Sequence, residues 1–204
     1  TAAGVDFYLI GAIAKVYWFN RGGKTSAGTK DIDFAVLVAS QEDYGNIRNY
    51  LKDKGYSDTK ENAYVLISPT GVQIDILPFG EIEIDETVKI IGEGMTSIRV
   101  NGFKEVYNAG TEEAELSTGH IFKAATLPAI VLLKLIAYDD RPEARLKDAR
   151  DVASIVQHFF DLQSDFIYEY HVNLFEDESD KDIVDIGAIV IGRELKNSAQ
   201  ITGP

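Results

Sequence analysis

The 204-residue sequence predicts an α+β fold, in which a small mixed-sheet core over residues 1–125 is followed by a helical domain over residues 126–204. Two observations predict this division. In the first part, short apolar runs bounded by glycine, serine or proline alternate with segments of helical spacing. From Thr126 onward the sequence changes to longer helical patterns joined by polar links. We therefore expect a boundary near Thr126.

The first four predicted elements are a strand, a helix, a loop and a second strand. DFYLIG (Asp6–Gly11) is apolar, rich in β-forming residues and ends in glycine, which predicts a strand. A helix over AIAKVYWFN (Ala12–Asn20) follows it. The Gly- and Ser-rich segment RGGKTSAGTK (Arg21–Lys30) is predicted to be a loop, and DIDFAVLVAS (Asp31–Ser40) is the second strand.

A helix and a hairpin are predicted next. Ser40 with Asp43 is typical of a helix N-cap, and apolar residues then recur at helical spacing, so we expect a helix over Gln41–Lys54. AYVLIS and VQIDILPF flank the turn Pro69–Gly71 and predict a β-hairpin. Residues 81–122 indicate short strands and turns, with IEID, SIRV and KEVY as candidate strands.

The second part begins with a helix that lacks a polar face. Thr126 is a candidate N-cap and Pro128 is tolerated in a first helical turn. Because LPAIVLLKLIAY is apolar all round, we expect this helix to be buried. After the polar link DDRPEA, a second helix is predicted over about Arg145–Phe160. Two more helical segments follow, the last over about Asp180–Leu195.

Composition excludes several classes of protein. The apolar runs are too short to cross a bilayer, and the absence of cysteine rules out a disulfide framework and a thiolate zinc site. No N-terminal signal segment is visible, so a cytoplasmic location is expected. The net charge of -13 disfavours broad contact with nucleic acid unless a local basic patch exists. Lys15, Arg21, Lys24 and Lys30 form either such a patch or a solvated loop.

Three aspartates interrupt apolar strands. Asp31 and Asp33 are two residues apart, so their side chains share one face of a strand, and Asp75 is a lone acid within QIDIL. If the two strands are neighbours, the three carboxylates converge. Oxygen ligands of this kind suit Mg²⁺, and two such ions can clamp a phosphoryl displacement. The alternative is the solvated face of an antiparallel sheet, on which acids alternate without further role.

A lysine and two aspartates form a second candidate group in the helical part. Lys134 is the only charge in its apolar helix and needs an anionic partner or a path to solvent. Asp148 and Asp151 are three residues apart and share one side of a helix. Lys134 therefore either forms a structural ion pair with one of them or binds phosphate. Lys147 with Asp151, four residues apart, is more simply a surface pair.

The ordered set of these pieces resembles a known superfamily. LIGA (Leu9–Ala12), DIDF (Asp31–Phe34) and QIDIL (Gln73–Leu77) occur in the order typical of nucleotidyltransferases of the DNA polymerase beta type. The segment LLKLIAYDDRPEARLKDARDV (Leu132–Val152) is similar to the helical half of the abortive-infection type nucleotidyltransferases, which include toxins of toxin–antitoxin pairs. The resemblance covers roughly Val5–Ile155.

The resemblance implies an activity and a set of site residues. A metal-dependent nucleotidyltransferase moves a nucleoside monophosphate from an NTP to an acceptor hydroxyl and releases pyrophosphate. Two Mg²⁺ ions and the NTP would be held by the following residues: Asp31, Asp33 and Asp75 as metal ligands and catalytic residues, with Asp75 also helping to activate the hydroxyl; Gly11 and Ala12 at the triphosphate; Lys134 at the phosphates; and Asp148 and Asp151 completing the nucleotide pocket.

The resemblance leaves the acceptor open. It suggests an RNA end, in particular that of a tRNA, or a protein hydroxyl, with an antitoxin-like protein as a further partner. The negative net charge instead favours a cationic small molecule. One departure motivates an alternative function. The superfamily usually has Gly-Gly or Gly-Ser where this chain has Gly11-Ala12, so the chain is alternatively a catalytically inactive binding or regulatory module on the same fold.

Overall fold

The computed structural model describes residues 4–26, 28–176 and 181–201, and these form a mixed sheet with helices packed against it and against one another. The strands are β1 Phe7–Ile10, β2 Asp31–Leu37, β3 Ser57–Asp58, β4 Val65–Ile67, β5 Gln73–Phe79, β6 Thr87–Lys89, β7 Ser97–Arg99, β8 Thr111–Glu115 and β9 Ile121–Ala125. The helices are α1 Gly11–Arg21, α2 Gln41–Asp53, α3 Phe103–Ala109, α4 Leu127–Asp140, α5 Leu146–Leu162, α6 Ser164–Tyr170 and α7 Ile183–Ile201. The predicted α+β class is confirmed.

Seven strands form the main sheet in the order β3-β4-β5-β2-β1-β9-β8. β2 lies between β1, to which it is antiparallel, and β5, to which it is parallel. β1 is also parallel to β9, the last strand before the helical segments. β6 and β7 form a separate two-stranded hairpin. The sheet is therefore mixed, and its middle consists of β5, β2 and β1.

Side-chain caps begin two of the predicted helices. The Ser40 hydroxyl accepts a hydrogen bond from the Asp43 amide at 3.1 Å at the start of α2. The Thr126 hydroxyl accepts one from the Ala129 amide at 3.4 Å at the start of α4. Each satisfies an amide that has no partner within the helix. Both N-caps that the sequence predicts are thus confirmed.

The predicted hairpin is also confirmed, as β4 and β5. They pair antiparallel, and Gly71 in the intervening turn has a φ of 84°, a conformation that glycine adopts without steric cost. Short β3 adds one more strand beyond β4. β5 is thereby held between β4 and β2, which fixes the position of the aspartate within QIDIL.

Two of the three candidate strands in the region 81–122 are wrong. IEID forms a turn and no strand: its last residue, Asp85, and the following residue, Glu86, have φ values of 48° and 56°, outside the extended region. KEVY lies within α3, where Phe103 and Val106 are three residues apart and both buried on one helical face. SIRV is confirmed, because β7 covers its first three residues.

The helical part follows directly on the sheet. α4 begins two residues after β9 ends, and most of its first two turns is buried, as expected for a helix without a polar face. α5 packs against both α4 and α7. α7 is preceded by Asp182, whose carboxylate accepts hydrogen bonds from the Val184 and Asp185 amides. The predicted start of this last helix, Asp180, lies outside the described residues. None of the helices in the described ranges combines the length and the apolar character needed to cross a membrane.

Candidate active site

The strand pairing brings the three aspartates of the sequence motifs to one face of the sheet. Asp33 on β2 and Asp75 on β5 are direct partners in the parallel register. Partners in adjacent parallel strands project to the same face, and Asp31, two residues before Asp33, projects there as well. Gln73 is the register partner of Asp31. The condition for convergence, that the two strands are neighbours, is met.

Gly11 places the first turn of α1 against this group. Its φ is 68°, and a Cβ built on it would lie 2.2 Å from Oδ2 of Asp33. A side chain at this position is therefore excluded twice, by the left-handed backbone and by the carboxylate. The preceding residue, Ile10, is the register partner of Asp33 on β1. The short connection from β1 into α1 thus aims the start of the helix at the carboxylates.

The start of α1 also favours anions at this place. No side chain caps the helix, and its first turn contains no acidic residue. The first amides of a helix lack partners within it and carry the positive end of the helix dipole. Ala12 lies in this turn, directly after Gly11. Phosphate groups are bound by helix starts of this kind, and here such a start and a carboxylate pair share one site.

The carboxylates repel one another. Burial, followed by the charges of Asp75 and Asp31, raises the pKa of Asp33 from 3.8 to about 7. Burial also raises the pKa of Asp75; a hydrogen bond that Gln73 Nε2 donates to Asp75 Oδ1 at 2.9 Å opposes this effect without cancelling it. The hydroxyl of Thr29 donates to Asp31. The site therefore holds more negative charge than its own hydrogen-bond donors compensate.

A divalent cation would relieve this repulsion. Mg²⁺ prefers carboxylate oxygens and usually retains ligands from water and substrate phosphates. Within the residues that the structure describes, no group of three or more acidic or histidine side chains is already gathered closely enough to hold a metal ion. A cation here would be held by the register partners Asp33 and Asp75, which share their sheet face with Asp31. The donor set fits Mg²⁺ on these terms.

A chain of alternating charges joins α1 to the helical part, and all of its members except Arg145 are buried. Lys134 Nζ on α4 donates to Asp148 at 2.7 Å and to Asp151 at 2.8 Å, both on α5. Lys15 Nζ on α1 contacts the other oxygen of Asp151 at 2.5 Å. Arg145 approaches Asp148 at 3.4 Å. The ion pair between helices that the sequence offers as one reading of Lys134 is present, and we call these five residues the buried ion network.

The ion pairs of the network determine the direction in which the pKa values of Lys134 and Asp151 shift. Burial lowers the pKa of Lys134, but the hydrogen bonds to Asp148 and Asp151 outweigh it and leave that pKa raised. Burial likewise raises the pKa of Asp151, yet the hydrogen bonds from Lys134 and Lys15 leave it lowered. The charged forms of these buried groups therefore stabilise one another.

Sequence reasoning missed the position of Lys15. Most of the other residues of α1 are apolar, and only 4% of Lys15 is exposed. One signal was available, because Lys15 is four residues after Gly11 and thus shares a helix face with it. Lys15, Arg21, Lys24 and Lys30, which the sequence offered as either a basic patch or a solvated loop, include two cations that are engaged within the protein. Lys15 is buried, and Lys24 pairs with Asp161 at 2.7 Å.

Lys147 was also misplaced by the sequence interpretation. Asp151 pairs with Lys15 and Lys134 instead, and Lys147 makes no ion pair in the described part of the chain. Lys147 is exposed at the start of α5. The charges of Lys134 and Lys147 both lower the pKa of Asp33, against the larger effects that raise it. The two cations are therefore close enough to the carboxylate site to influence it.

Comparisons with known proteins find similarity to solved structures. No protein-family model and no curated protein matches the chain. Among solved structures, it is similar to lincosamide antibiotic adenylyltransferase LnuA bound to lincomycin, with 15% identity, a TM-score of 0.46, and coverage of 80% of this chain and 89% of that one. It is similar to ANT(2")-Ia in complex with adenylyl-2"-tobramycin, with 14% identity, a TM-score of 0.46, and coverage of 94% and 90%. It is also similar to an antigenic nucleotidyltransferase-like protein from Paracoccidioides brasiliensis, with 13% identity, a TM-score of 0.47, and coverage of 83% and 82%. Of these three structures, the first is an adenylyltransferase and the third a nucleotidyltransferase-like protein.

Proposed function

We propose that the chain is a metal-dependent nucleotidyltransferase, which moves a nucleoside monophosphate from an NTP to an acceptor hydroxyl. The observation that carries the proposal is the register pair Asp33 and Asp75 at the uncapped start of α1. A pair of carboxylates that repel each other fits a divalent cation, and a helix start fits phosphate. Both halves of a metal–triphosphate complex therefore have a complementary surface at one place.

The residues divide the chemistry in a simple way. Bound Mg²⁺ supplies neutralisation of the phosphate charge. The first amides of α1 receive phosphate oxygens, because Gly11 keeps that approach free of a side chain. Lys134 and Lys147 add positive charge beside the carboxylates. Catalysis of phosphoryl transfer consists largely of such positioning and charge compensation.

Asp75 is the residue that we assign to the proton of the acceptor. It is the register partner of Asp33, so its carboxylate lies on the sheet face at which the cation and the phosphates would meet. The acceptor oxygen forms a bond to the α-phosphorus, the bond from that phosphorus to the bridging oxygen breaks, and pyrophosphate leaves. The hydroxyl proton passes to the Asp75 carboxylate. No covalent intermediate with the protein is needed.

Calorimetric titration tests the proposal. ATP, GTP, CTP and UTP are titrated with and without Mg²⁺ into the protein, into Asp33→Asn and into the control Glu113→Gln, whose site is an exposed position on strand β8. We expect Mg²⁺-dependent binding of at least one NTP, lost in Asp33→Asn and kept in the control. Binding that persists in Asp33→Asn contradicts the assigned site. Binding without pyrophosphate release across a broad set of acceptors supports the inactive binding module instead.

We propose a cationic small molecule as the acceptor. The net charge of -13 repels RNA, and two of the four lysines and arginines of the candidate basic patch are engaged within the protein, Lys15 in the buried ion network and Lys24 with Asp161. RNA binding weakens steeply as salt rises, because counterions are released. A steep loss of tRNA affinity between low and moderate salt would therefore overturn this choice of acceptor. The toxin role, the antitoxin-like partner and a protein acceptor stay predictions of the resemblance.

A further inference from the structure

We infer that Lys15 is a positioning residue of the nucleotide site: it holds the charge of Asp151, so that Lys134 can exchange a carboxylate partner for a triphosphate. This inference rests on the proposed function and adds a residue that the sequence motifs do not contain. It concerns the buried ion network and its connection to α1.

The network has one more cation than its carboxylates require. Along it the charges alternate as Lys15, Asp151, Lys134, Asp148 and Arg145, which gives three positive and two negative groups. Lys134 is the central member and has two carboxylate partners at nearly equal distances, 2.7 and 2.8 Å. Each carboxylate also has a second cation on its far side. Lys134 is therefore the member whose departure leaves every remaining charge paired.

Because Lys15 stays paired with Asp151, Asp151 keeps a counter-charge when Lys134 leaves the network. Only 9% of Asp151 is exposed, and a buried carboxylate without a counter-charge is strongly unfavourable. Lys15 contacts it at 2.5 Å and is more deeply buried than Asp151. If Lys15 is replaced by an uncharged residue, Lys134 is the remaining counter-charge of Asp151 in the network. Lys134 is then held by Asp151 and has less freedom to bind phosphate.

The position of Lys15 links this effect to the carboxylate site. It lies one turn after Gly11 on the same face of α1, and its stem packs near the Phe19 ring with Nζ 5.7 Å from the ring centroid. Lys134 lies at the other side of Asp151, on α4, and both α4 and α5 pack against α1. The network therefore connects the helix that begins at the phosphate site to the central lysine on α4.

A purely structural role for Lys15 makes a different prediction. If Lys15 only joins α1 to α5, its loss would loosen the fold and weaken every ligand alike. Lys24 provides the matched control, because it lies three residues after the end of α1 and also contacts α5, through Asp161 at 2.7 Å. Lys24 is partly exposed and is not part of the network. Lys24→Met thus removes an ion pair between the C-terminal end of α1 and α5 without changing the charge balance around Lys134.

The test compares triphosphate affinity with Mg²⁺ affinity in the full chain. The NTP that binds the unmodified protein is titrated with Mg²⁺ by calorimetry, and Mg²⁺ alone is titrated by thermal shift, for Lys15→Met, Lys15→Arg and Lys24→Met. For Lys15→Met we expect Mg-NTP affinity to fall about tenfold, the loss of roughly one charge-assisted contact, while Mg²⁺ affinity stays within about twofold. Lys15→Arg, which retains the charge, should recover most of the affinity.

The outcomes are distinct. An equal loss of Mg-NTP and Mg²⁺ affinity in Lys15→Met, or an equal effect of Lys24→Met, overturns the inference and leaves the proposed function intact. Unchanged Mg-NTP affinity in a folded Lys15→Met also overturns the inference and leaves the proposed function intact. If Lys15→Met does not fold, Lys15→Gln takes its place, with the same expected loss. If the unmodified protein binds no Mg-NTP, the proposed function fails, and the inference fails with it.

Discussion

Replacement of Asp33 by asparagine is expected to stabilise the metal-free protein at alkaline pH and to leave it nearly unchanged in acid. In the folded protein the pKa of Asp33 is about 7, against 3.8 for the ordinary group. The folded state thus binds a proton more tightly than the unfolded state does. The free energy of unfolding must therefore fall as pH rises between these two values and level off above the folded pKa.

The size of the effect follows from the shift. The interval from 3.8 to about 7 is about three pH units, and each unit corresponds to about 1.4 kcal/mol, so ionised Asp33 costs the metal-free protein up to about 4 kcal/mol. Asparagine has a similar shape and no charge. The difference in unfolding free energy between Asp33→Asn and the unmodified protein should therefore be about 3 kcal/mol larger at pH 8 than at pH 5.

Urea denaturation at the two pH values, with a chelator present, measures this difference directly. Titrations of groups distant from Asp33 are common to both proteins and cancel in the comparison. Saturating Mg²⁺ at pH 8 should then stabilise the unmodified protein and have no effect on the variant, because only the former has the carboxylate. A difference that does not change with pH, or a variant that is less stable at pH 8, would refute the account of Asp33 as a buried, repelled carboxylate.

Three further predictions concern the neighbours of this group. Gly11→Ala should destabilise the protein by about 1 to 3 kcal/mol and abolish NTP binding in calorimetry, because of its left-handed backbone and the Asp33 carboxylate, whereas Gly45→Ala in the open face of α2 should be neutral or slightly stabilising; equal effects of the two would contradict the steric argument. Lys134→Met should cost only about 1 to 2 kcal/mol in urea denaturation, since Lys15 and Arg145 still provide a counter-charge for its two carboxylate partners, and a cost above about 3 kcal/mol would show that these two cations do not compensate for its loss. Lys147→Ala should change stability by less than about 0.5 kcal/mol but weaken Mg-NTP binding, and an unchanged affinity would exclude this exposed cation from the site.

The elements that the sequence predicted well are those with local signals. The caps at Ser40 and Thr126 depend on residues three positions apart, and the hairpin of β4 and β5 depends on its own turn. The alternation of apolar and acidic residues predicted that Asp31 and Asp33 share a face. Each of these signals is contained within about ten residues, so tertiary contacts had little opportunity to override it.

The elements that escaped prediction depend on distant partners. β9 is short, and it is defined by pairing with β1 at the other end of the sheet-forming region. KEVY is short enough for either structure, and its burial in α3 decides the outcome. Lys15 looked like a loop-side cation, because its counter-charge, Asp151, is far away in sequence and meets it only through the packing of α1 against α5. Lys147 was assigned to Asp151 by spacing alone, although two buried lysines already occupy that carboxylate.

The place of β1 in the sheet also determines when this protein can fold. β1 is the first strand of the described residues, yet Tyr8 pairs with Lys123 of β9, so one of its two edges has no partner until the chain has been extended past residue 125. Such long-range pairings slow folding, and an unpaired strand edge invites association with other chains. During synthesis on the ribosome, one edge of β1 therefore stays unpaired until β9 has been made. A permuted chain that begins at β8 and carries β9 ahead of β1 would remove that wait and should refold faster than the natural order.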